Sequence, residues 1–400
     1  MIMVNQYTMK ILLIGVGAVG SVISKYLNKD DEVAEVICAS NDINRAKEFV
    51  NEGNKIKLIE LDASNIDEIA DKARGVNLII NASLPRFNEN ILEAALRVGA
   101  HYQDLASELA DLKTAEQLKF VERFKEAGLT ALINTGVAPG ITNLLAREAA
   151  DKLDTVEEIH FRCVEEQKAS EFIFAWSAET TLDDLTATPL VFRNGVFLLT
   201  KPFEDSEEYE FPEPFGKRHA FSIYGDEVAT VPLFIKTKIV DFKSSGSDIE
   251  FSKALSRLGL FSKEPMEFNG GRIIPLEFFK KIAPKVPSPQ KMKQMIDEGI
   301  IENAIFALSV EVIGKEQKQD MRIKMSATFP DLKEITKTFP GATYISYPAG
   351  TAAYSFLKVI PKMKTAGVFP PEALNDEMRK EVMLNLEQNG IVINQQFQKK

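Results

Sequence analysis

The sequence predicts an α/β protein in which a doubly wound parallel sheet is joined to a second, α+β domain. Three observations predict it. The first third alternates short apolar runs with amphipathic stretches, a glycine-rich turn separates the first run from the first helix, and the texture becomes mixed after Pro139-Gly140. At 400 residues the chain is long enough for two cores. Its composition, 45% hydrophobic and 26% charged with 22 Gly and 18 Pro, excludes disorder, collagen and disulfide scaffolds. A net charge of −10 argues against nucleic acid or an anionic membrane as the partner and favours a cationic or zwitterionic small ligand.

Lys10–Ile14 reads as the first strand and Ala18–Leu27 as the helix after it. Val33–Ala39, Ile56–Leu61, Val76–Asn81, Tyr102–Leu105 and Leu129–Asn134 are further short apolar runs. Helical patterns cover Asn90–Val98 and Ala115–Ala127, and Ser64, followed by Asp67 and Glu68, reads as a helix N-cap. Short buried strands with helices between them imply parallel pairing. After Pro139-Gly140 a helix (Ile141–Leu153) leads into a strand with Ile159, Phe161 and Cys163 on one face and His160 and Arg162 on the other. Asn194-Gly195 marks a hairpin, Pro202–Phe215 a connector, Ser252–Leu258 a helix, and Ala304–Ile313 with Met321–Thr328 a long hairpin. Gly350–Met363 reads as a buried helix and Glu372–Asn389 as an amphipathic one. The expected division is residues 1–138 with 348–400 for the first domain and 139–347 for the second. The long hairpin, with Phe306, Leu308 and Val310, looks too extended for one small domain to cover and points to a homodimer.

Two cysteines, Cys38 and Cys163, and three scattered histidines, His101, His160 and His219, suggest neither a disulfide frame nor a metal centre. Met1–Lys10 lacks a signal-peptide pattern, Ile11–Gly20 is too short to span a bilayer, and the uncharged run Leu129–Ala146 is broken by Gly136, Pro139 and Gly140. A cytoplasmic protein is expected.

Gly15-Val16-Gly17-Ala18-Val19-Gly20 is G-x-G-x-x-G directly after a strand and opening a helix. In that setting Gly15 makes the tight turn, Gly17 admits a pyrophosphate, and Gly20 lets helix and strand pack closely, with Ala18 and Val19 at the helix N-terminus. The first domain is therefore expected to be of the Rossmann type. An acid about 20 residues beyond the last glycine marks an NAD site; here Ser40 holds that place, followed by Asn41 and Arg45, a set suited to a 2′-phosphate. NADP is the expected cofactor, with NAD the alternative if Asp42 turns inward to the ribose. Asp62-Ala63 and Asn81-Ala82 follow later strands at the ligand-binding end of such a sheet, although Asp62 reads equally well as a helix-start cap.

These segments, with Tyr102-Gln103-Asp104-Leu105 and above all Asn134-Thr135-Gly136-Val137-Ala138-Pro139-Gly140-Ile141-Thr142-Asn143, resemble the saccharopine dehydrogenase-like family, which includes lysine 6-dehydrogenases. Phe174-Ala175-Trp176-Ser177-Ala178-Glu179, Thr188-Pro189, Arg193-Asn194-Gly195, Gly350-Thr351-Ala352-Ala353 and Gly367-Val368-Phe369-Pro370-Pro371-Glu372 extend the resemblance over nearly the whole chain. It implies NAD(P)-dependent oxidation or reduction of a C–N bond in an amino acid or its secondary-amine conjugate, with lysine 6-dehydrogenase as the near alternative. Ser40 departs from the family's frequent acid, and Glu165-Glu166 from smaller, less charged residues.

Such a reaction needs groups that bind a carboxylate and a cationic nitrogen and move one proton. Glu179 is the candidate base or ammonium binder and Arg193 the candidate carboxylate clamp, against the plainer readings of a solvated helix start and a hairpin-flanking charge. Asn134, Gly140 and Asn143, around the last strand–helix turn, are candidates to border the nicotinamide or substrate, with Gly136 a cofactor-binding candidate beside them and helix capping by Thr142 or Asn143 as the plainer role. His219 sits in a polar turn and reads as exposed; Trp176 reads as core packing. A non-catalytic dinucleotide sensor is the alternative of another class.

Overall fold

The computed structural model describes residues 8–108 and 110–399. Two compact units share the chain. One runs to Leu144 and resumes over Ser346–Gly390; the other comprises Leu145–Ile345 and the chain from Ile391 onward.

The first unit begins with β1 (Met9–Ile14), α1 (Ala18–Lys29), β2 (Val33–Ser40), α2 (Ile43–Phe49), β3 (Ile56–Glu60) and α3 (Ile66–Lys72). It continues with β4 (Leu78–Asn81), α4 (Asn88–Val98), β5 (His101–Asp104), α5 (Val121–Glu126), β6 (Thr130–Leu132) and α6 (Ile141–Ala150), the last of which crosses into the second unit. The second unit adds β7 (Thr155–Ala169), α7 (Ala178–Thr186), β8 (Leu190–Arg193), β9 (Val196–Leu199), β10 (Ser206–Glu210), β11 (Lys217–Ser222), α8 (Glu227–Phe234) and β12 (Ile239–Gly246). Then come α9 (Ser247–Arg257), β13 (Met266–Phe268), β14 (Gly271–Ile273), α10 (Pro275–Ile282), α11 (Pro289–Asp297), β15 (Ile301–Glu316), β16 (Gln319–Thr328) and α12 (Leu332–Thr338). The chain closes with α13 (Ser346–Leu357), β17 (Gly367–Phe369) and α14 (Asp376–Gln388) in the first unit and β18 (Val392–Lys399) in the second.

The first sheet has seven strands in the order β17-β6-β5-β4-β1-β2-β3, all parallel. Strand order reverses between β1 and β4, which opens a crevice at their carboxyl ends. Its strands are short and almost continuously apolar because helices cover both faces, and Leu12, Ile14, Ile79, Tyr102, Phe124 and Ile133 meet in one core. The returning α13 lies on α1. A Cβ on Gly350 would come within 2.6 Å of Val22 Cβ, and Tyr26 and Tyr354 stack at 4.8 Å.

The second sheet is mixed, in the order β10-β11-β12-β7-β15-β16-β18, with β8 and β9 as a branch on β12. Asn194 and Gly195 both adopt positive φ (50° and 88°), as the predicted hairpin between β8 and β9 requires. One face of β7 presents the buried Ile159, Phe161 and Cys163. On the other, Arg162 pairs with Asp241 at 2.6 Å and with Glu207, while His160 bridges Asp241 and Glu158 at 3.0 Å each. Burial alone would lower the His160 pKa, but the Asp241 carboxylate outweighs it and raises it. His160 is thereby a framework residue of the sheet.

Several expectations are corrected. Asn65, not Ser64, caps α3, accepting from Glu68 N at 3.2 Å. Residues 116–120 form a 3₁₀ turn ahead of the short α5, and the connector at 202–215 contains β10. The helix expected from Ser252 begins at Ser247. The chain after Gly390 does not stay with the first unit: β18 pairs antiparallel with β16. That strand covers the edge of the long hairpin, so the edge argument for a homodimer fails.

Beneath the carboxyl ends of β4, β5 and β6 lies a buried polar network. Asn88 Oδ1 accepts from Asn81 Nδ2 (2.7 Å) and Tyr102 OH (3.0 Å), while Asn88 Nδ2 donates to Glu116 Oε1 at 2.7 Å. Glu116 Oε2 accepts from Glu108 N, and Asp104 accepts from Asn134 N and Gln117 Nε2. Burial, then the charge of Asp104, pushes the Glu116 carboxyl up to about 8. A carboxyl raised on folding stabilises the native state below its ordinary range, and that contribution is lost as pH rises through the native value. Glu116→Gln should therefore gain melting temperature over the unmodified chain between pH 5 and pH 8.5, by at least roughly 2–4 °C. A difference between the two proteins that does not change with pH would contradict this account.

Candidate active site

The glycine turn is built by close backbone contact. Gly15 (φ 90°) donates its N–H to Ala39 O at 2.9 Å, and a Cβ there would lie 2.5 Å from Ser83 N and 2.6 Å from Ala82 C. A Cβ on Gly20 would come within 2.0 Å of Gly15 O. Gly17 differs. A Cβ on it would meet nothing within 4 Å, and as N-cap of α1 it leaves the helix end, with Ala18 and Val19, without a side-chain cap. Open space above an uncapped N-terminus of a 12-residue helix, at the crevice of a parallel sheet, fits a dinucleotide pyrophosphate.

Around this cradle Asn81 Oδ1 accepts from Ser83 N at 2.9 Å and Ser83 Oγ at 2.6 Å, fixing the loop that abuts Gly15. At the end of β2, Ser40 Oγ meets the Asp42 backbone at 3.2 Å. Asp42 accepts from Arg45 N at 2.9 Å as N-cap of α2, so it faces its own helix. Asn41 is exposed, and Arg45 pairs with Glu48 and lies over the Phe49 ring. Asp62 is exposed and accepts from Ser64 N at 2.8 Å; that hydrogen bond holds its carboxyl below the usual range. Its geometry is that of a turn before α3, and the adjoining Ala63 O accepts from Asn90.

The last strand–helix turn is equally tight. Asn134 is fully buried at positive φ (56°), its Oδ1 accepting from Ser107 Oγ at 3.0 Å. A Cβ on Gly140 (φ 134°) would lie 1.9 Å from Gly136 O, and one on Gly136 would lie 3.0 Å from Pro139 O. Asn143, also fully buried, accepts from Gly140 N at 3.0 Å and donates to Glu372 Oε2 at 3.0 Å. Its amide holds the turn closed.

In the second unit Glu179 lies in the first turn of α7, whose N-cap Ser177 accepts from Thr180 N. Arg193 is exposed at the end of β8, beside the hairpin turn, and His219 is exposed on β11. These side chains stand on separate elements. What the unit does bring together is a set of carboxyls. Glu165 on β7 shares a hydrogen bond with Asp248 in the first turn of α9, and Tyr344 OH lies 3.4 Å from Glu165 Oε2. Burial, then the proximity of Asp248, pushes Glu165 well above the carboxylate range. Asp184 on α7 is raised likewise, by loss of water and by Asp226, Asp183 and Glu227. Only Glu165 of the raised pair and its neighbour Glu166 stand out in the sequence; Asp184, the adjacent Asp226 and Glu227, and Asp248 come from three separate stretches. Among the described residues no group of three or more His, Cys, Asp or Glu is arranged to hold a metal ion, and no helix is long and apolar enough to cross a membrane.

The sheet order, the crevice and the glycine cradle define an NAD(P)-dependent dehydrogenase. Residues 11–132 match the saccharopine dehydrogenase NADP binding domain and residues 136–391 the saccharopine dehydrogenase C-terminal domain. The chain belongs to the saccharopine dehydrogenase family. It is 24% identical over 386 residues to carboxyaminopropylagmatine dehydrogenase of Synechocystis, covering 92% of this chain and 93% of that one. It is 26% identical over 304 residues to carboxynorspermidine synthase of Vibrio cholerae, covering 69% and 73%. Among solved structures, saccharopine dehydrogenase (L-Glu forming) from Saccharomyces cerevisiae shares the fold with a TM-score of 0.69 at 14% identity, over 98% of this chain and 100% of that one. The homospermidine synthase of Legionella pneumophila, solved in complex with NAD, gives 0.72 at 14% identity, over 98% and 93%.

The glycines separate binding from folding. Gly17→Ala should weaken NADPH binding by at least roughly tenfold while lowering stability by about 1 kcal/mol or less. Gly20→Ala should destabilise the first unit by several times as much, since backbone must move. Calorimetric titration and thermal melts of both variants check this; undiminished binding to Gly17→Ala would refute it.

Proposed function

We propose that this enzyme, preferring NADP, makes or breaks the C–N bond between a cationic polyamine-type chain and a carboxylate-bearing carbon, and that it works as a homodimer in the cytoplasm. The observation that carries the reading is the coincidence of two facts. Both relatives named above carry carboxylated amines of several nitrogens in their names, and the second unit brings the carboxyls of Glu165 and Asp248 within hydrogen-bond distance of each other. No observation favours lysine as the substrate over such amines. Cys38 and Cys163, both buried and unbridged, accord with a reducing compartment.

When bound, the dinucleotide supplies or accepts the electron pair. The chain's residues are left to bind and orient the substrate and to move a proton. Gly15, Gly17, Ala18, Val19 and Gly20 would hold the pyrophosphate, while Ser40, Asn41 and Arg45 would meet the 2′-phosphate. Asn81, Ala82, Asn134 and Gly136 would shape the crevice, with Asn143 keeping its turn closed. Glu179 is proposed as the proton-moving or ammonium-binding group and Arg193 as the carboxylate clamp.

Steady-state reduction of NADP with carboxynorspermidine, carboxyaminopropylagmatine, saccharopine and lysine tests the substrate class. A carboxylated polyamine should exceed saccharopine and lysine in kcat/KM by at least roughly tenfold; saccharopine or lysine in first place would overturn the reading.

On the cofactor, Ser40→Asp should reverse an NADPH-over-NADH preference by like-charge repulsion. Equal affinity of the unmodified chain for both, by calorimetry, would exclude it. On the substrate, Arg193→Ala should raise KM roughly ten- to a hundredfold, the loss of one charge-assisted carboxylate contact of about 1.5–3 kcal/mol. Glu179→Gln should lower kcat more than it raises KM. Unchanged kinetics in both variants would make them surface charges.

A further inference from the structure

In a doubly wound sheet the dinucleotide lies across the carboxyl ends of the strands. With its pyrophosphate at the glycine turn after β1 and its adenosine side toward the end of β2, the nicotinamide falls to the ends of β4, β5 and β6. Beneath those ends two carboxyls from different elements are buried together. Asp104 is the last residue of β5, and Glu116 opens the 3₁₀ turn ahead of α5.

Opposed forces act on Glu116. Its two oxygens accept from Asn88 Nδ2 at 2.7 Å and Glu108 N at 3.0 Å, which favours the anion. Burial and the charge of Asp104 oppose it and prevail, so the carboxyl is pushed up to about 8. The other ionisable groups around it do not relieve this. Tyr102, buried on β5, donates its hydroxyl to Asn88 Oδ1 and stays neutral, its pKa held well above the ordinary value by burial. Glu108, half-buried in the loop after β5, adds a further carboxyl. Lys119 and Arg123 are exposed and pair with Glu89 and Glu93, each at 2.7 Å. A group so balanced yields to one added charge. The two forms of the dinucleotide differ by such a charge, because the oxidised nicotinamide ring is a cation and the reduced ring is neutral. A unit charge roughly 10 Å away, acting through an effective permittivity of about 20, changes an equilibrium on the order of tenfold.

We propose that Glu116 is the residue by which this chain tells oxidised from reduced dinucleotide: it gives up its proton when the oxidised form docks and keeps it under the reduced form. The proton passes to the buffer, no bond of the dinucleotide changes, and the cationic ring gains a carboxylate in its field. Glu116 acts through that field without touching the reacting atoms. It is also tied to the seat, since Asn88 joins it to Asn81, which holds the Ser83 loop against Gly15. Glu116 takes this part whatever the substrate and with or without a 2′-phosphate preference; it needs only the seat at the Gly15–Gly20 turn.

Calorimetric titration of the full chain with NADP⁺ and with NADPH tests this. The 2′-phosphate is common to both forms and cancels in the ratio of their affinities. The deprotonated chain binds the oxidised form better, so between about pH 6.5 and about pH 9 that ratio should move toward NADP⁺ on the order of tenfold, and at least roughly threefold. At about pH 7.5, buffers of different ionisation enthalpy should show roughly half a proton released with NADP⁺ and none with NADPH. In Glu116→Gln the ratio should not change with pH and the release should vanish. Should that variant fail to fold, infrared difference spectra of the unmodified chain carry the test: a carboxylic-acid C=O band should be lost with NADP⁺ and kept with NADPH. A ratio constant with pH, a Glu116→Gln variant that behaves as the unmodified chain, or an acid band that survives NADP⁺ would overturn the proposal. Binding of neither form would remove the dinucleotide seat itself, and the role of Glu116 with it.

Discussion

The first unit depends on one backbone contact. Gly20 lies against Gly15 O, and Gly15 in turn lies against the Ala82-Ser83 backbone, at distances no Cβ could share. This packing draws the start of α1 down onto the ends of β1 and β4, where the strand order reverses, and it aims the uncapped helix end into the crevice. Everything attributed to the cofactor follows from that placement. The space over Gly17 is open because its neighbours are closed. The Asn81 side chain keeps the Ser83 loop in contact with Gly15, and through Asn88 the same hydrogen-bond chain runs to Glu116.

A second contact of the same kind organises the end of β6. Gly140 sits against Gly136 backbone, and Asn143 closes the turn by binding Gly140 N and Glu372. Glu372 comes from the returning part of the chain, so the carboxyl-terminal segment of the first unit locks a turn laid down more than two hundred residues earlier. The second unit follows another logic. Its central β7 is lined on one face by apolar side chains and on the other by the Arg162, Asp241 and His160 ion network, while the carboxyls of Glu165 and Asp248 are brought together where β7 meets the start of α9.

Six of the parallel sheet's seven strands were legible because each is a short apolar run flanked by turn residues, and the glycine fingerprint fixed where the first helix starts; β17, a three-residue edge strand from the returning chain, was not read as a strand. The β8–β9 hairpin was legible for a similar local reason, since Asn-Gly satisfies the positive φ its turn needs. What escaped the sequence was non-local. β18 is a polar terminal strand whose partner β16 is remote in sequence, so nothing near it signals the pairing that covers the long hairpin's edge. Ser64 and Asn65 are both good caps, and only the Asp62 turn, which takes up Ser64 N, decides between them. Asp248, Asp184 and Glu116 owe their raised carboxyls first to burial beneath other elements, which no spacing along the chain reveals.

The central claim is that the Gly15–Gly20 turn, supported by the Ala82-Ser83 loop, is the dinucleotide's seat. Hydrogen exchange of the backbone amides, followed by mass spectrometry with and without saturating NADPH, tests it most directly. The account predicts slowed exchange in peptides covering residues 14–24, 39–46 and 80–84. Protection confined to other parts of the chain, or no protection on these three segments at saturation, would contradict it.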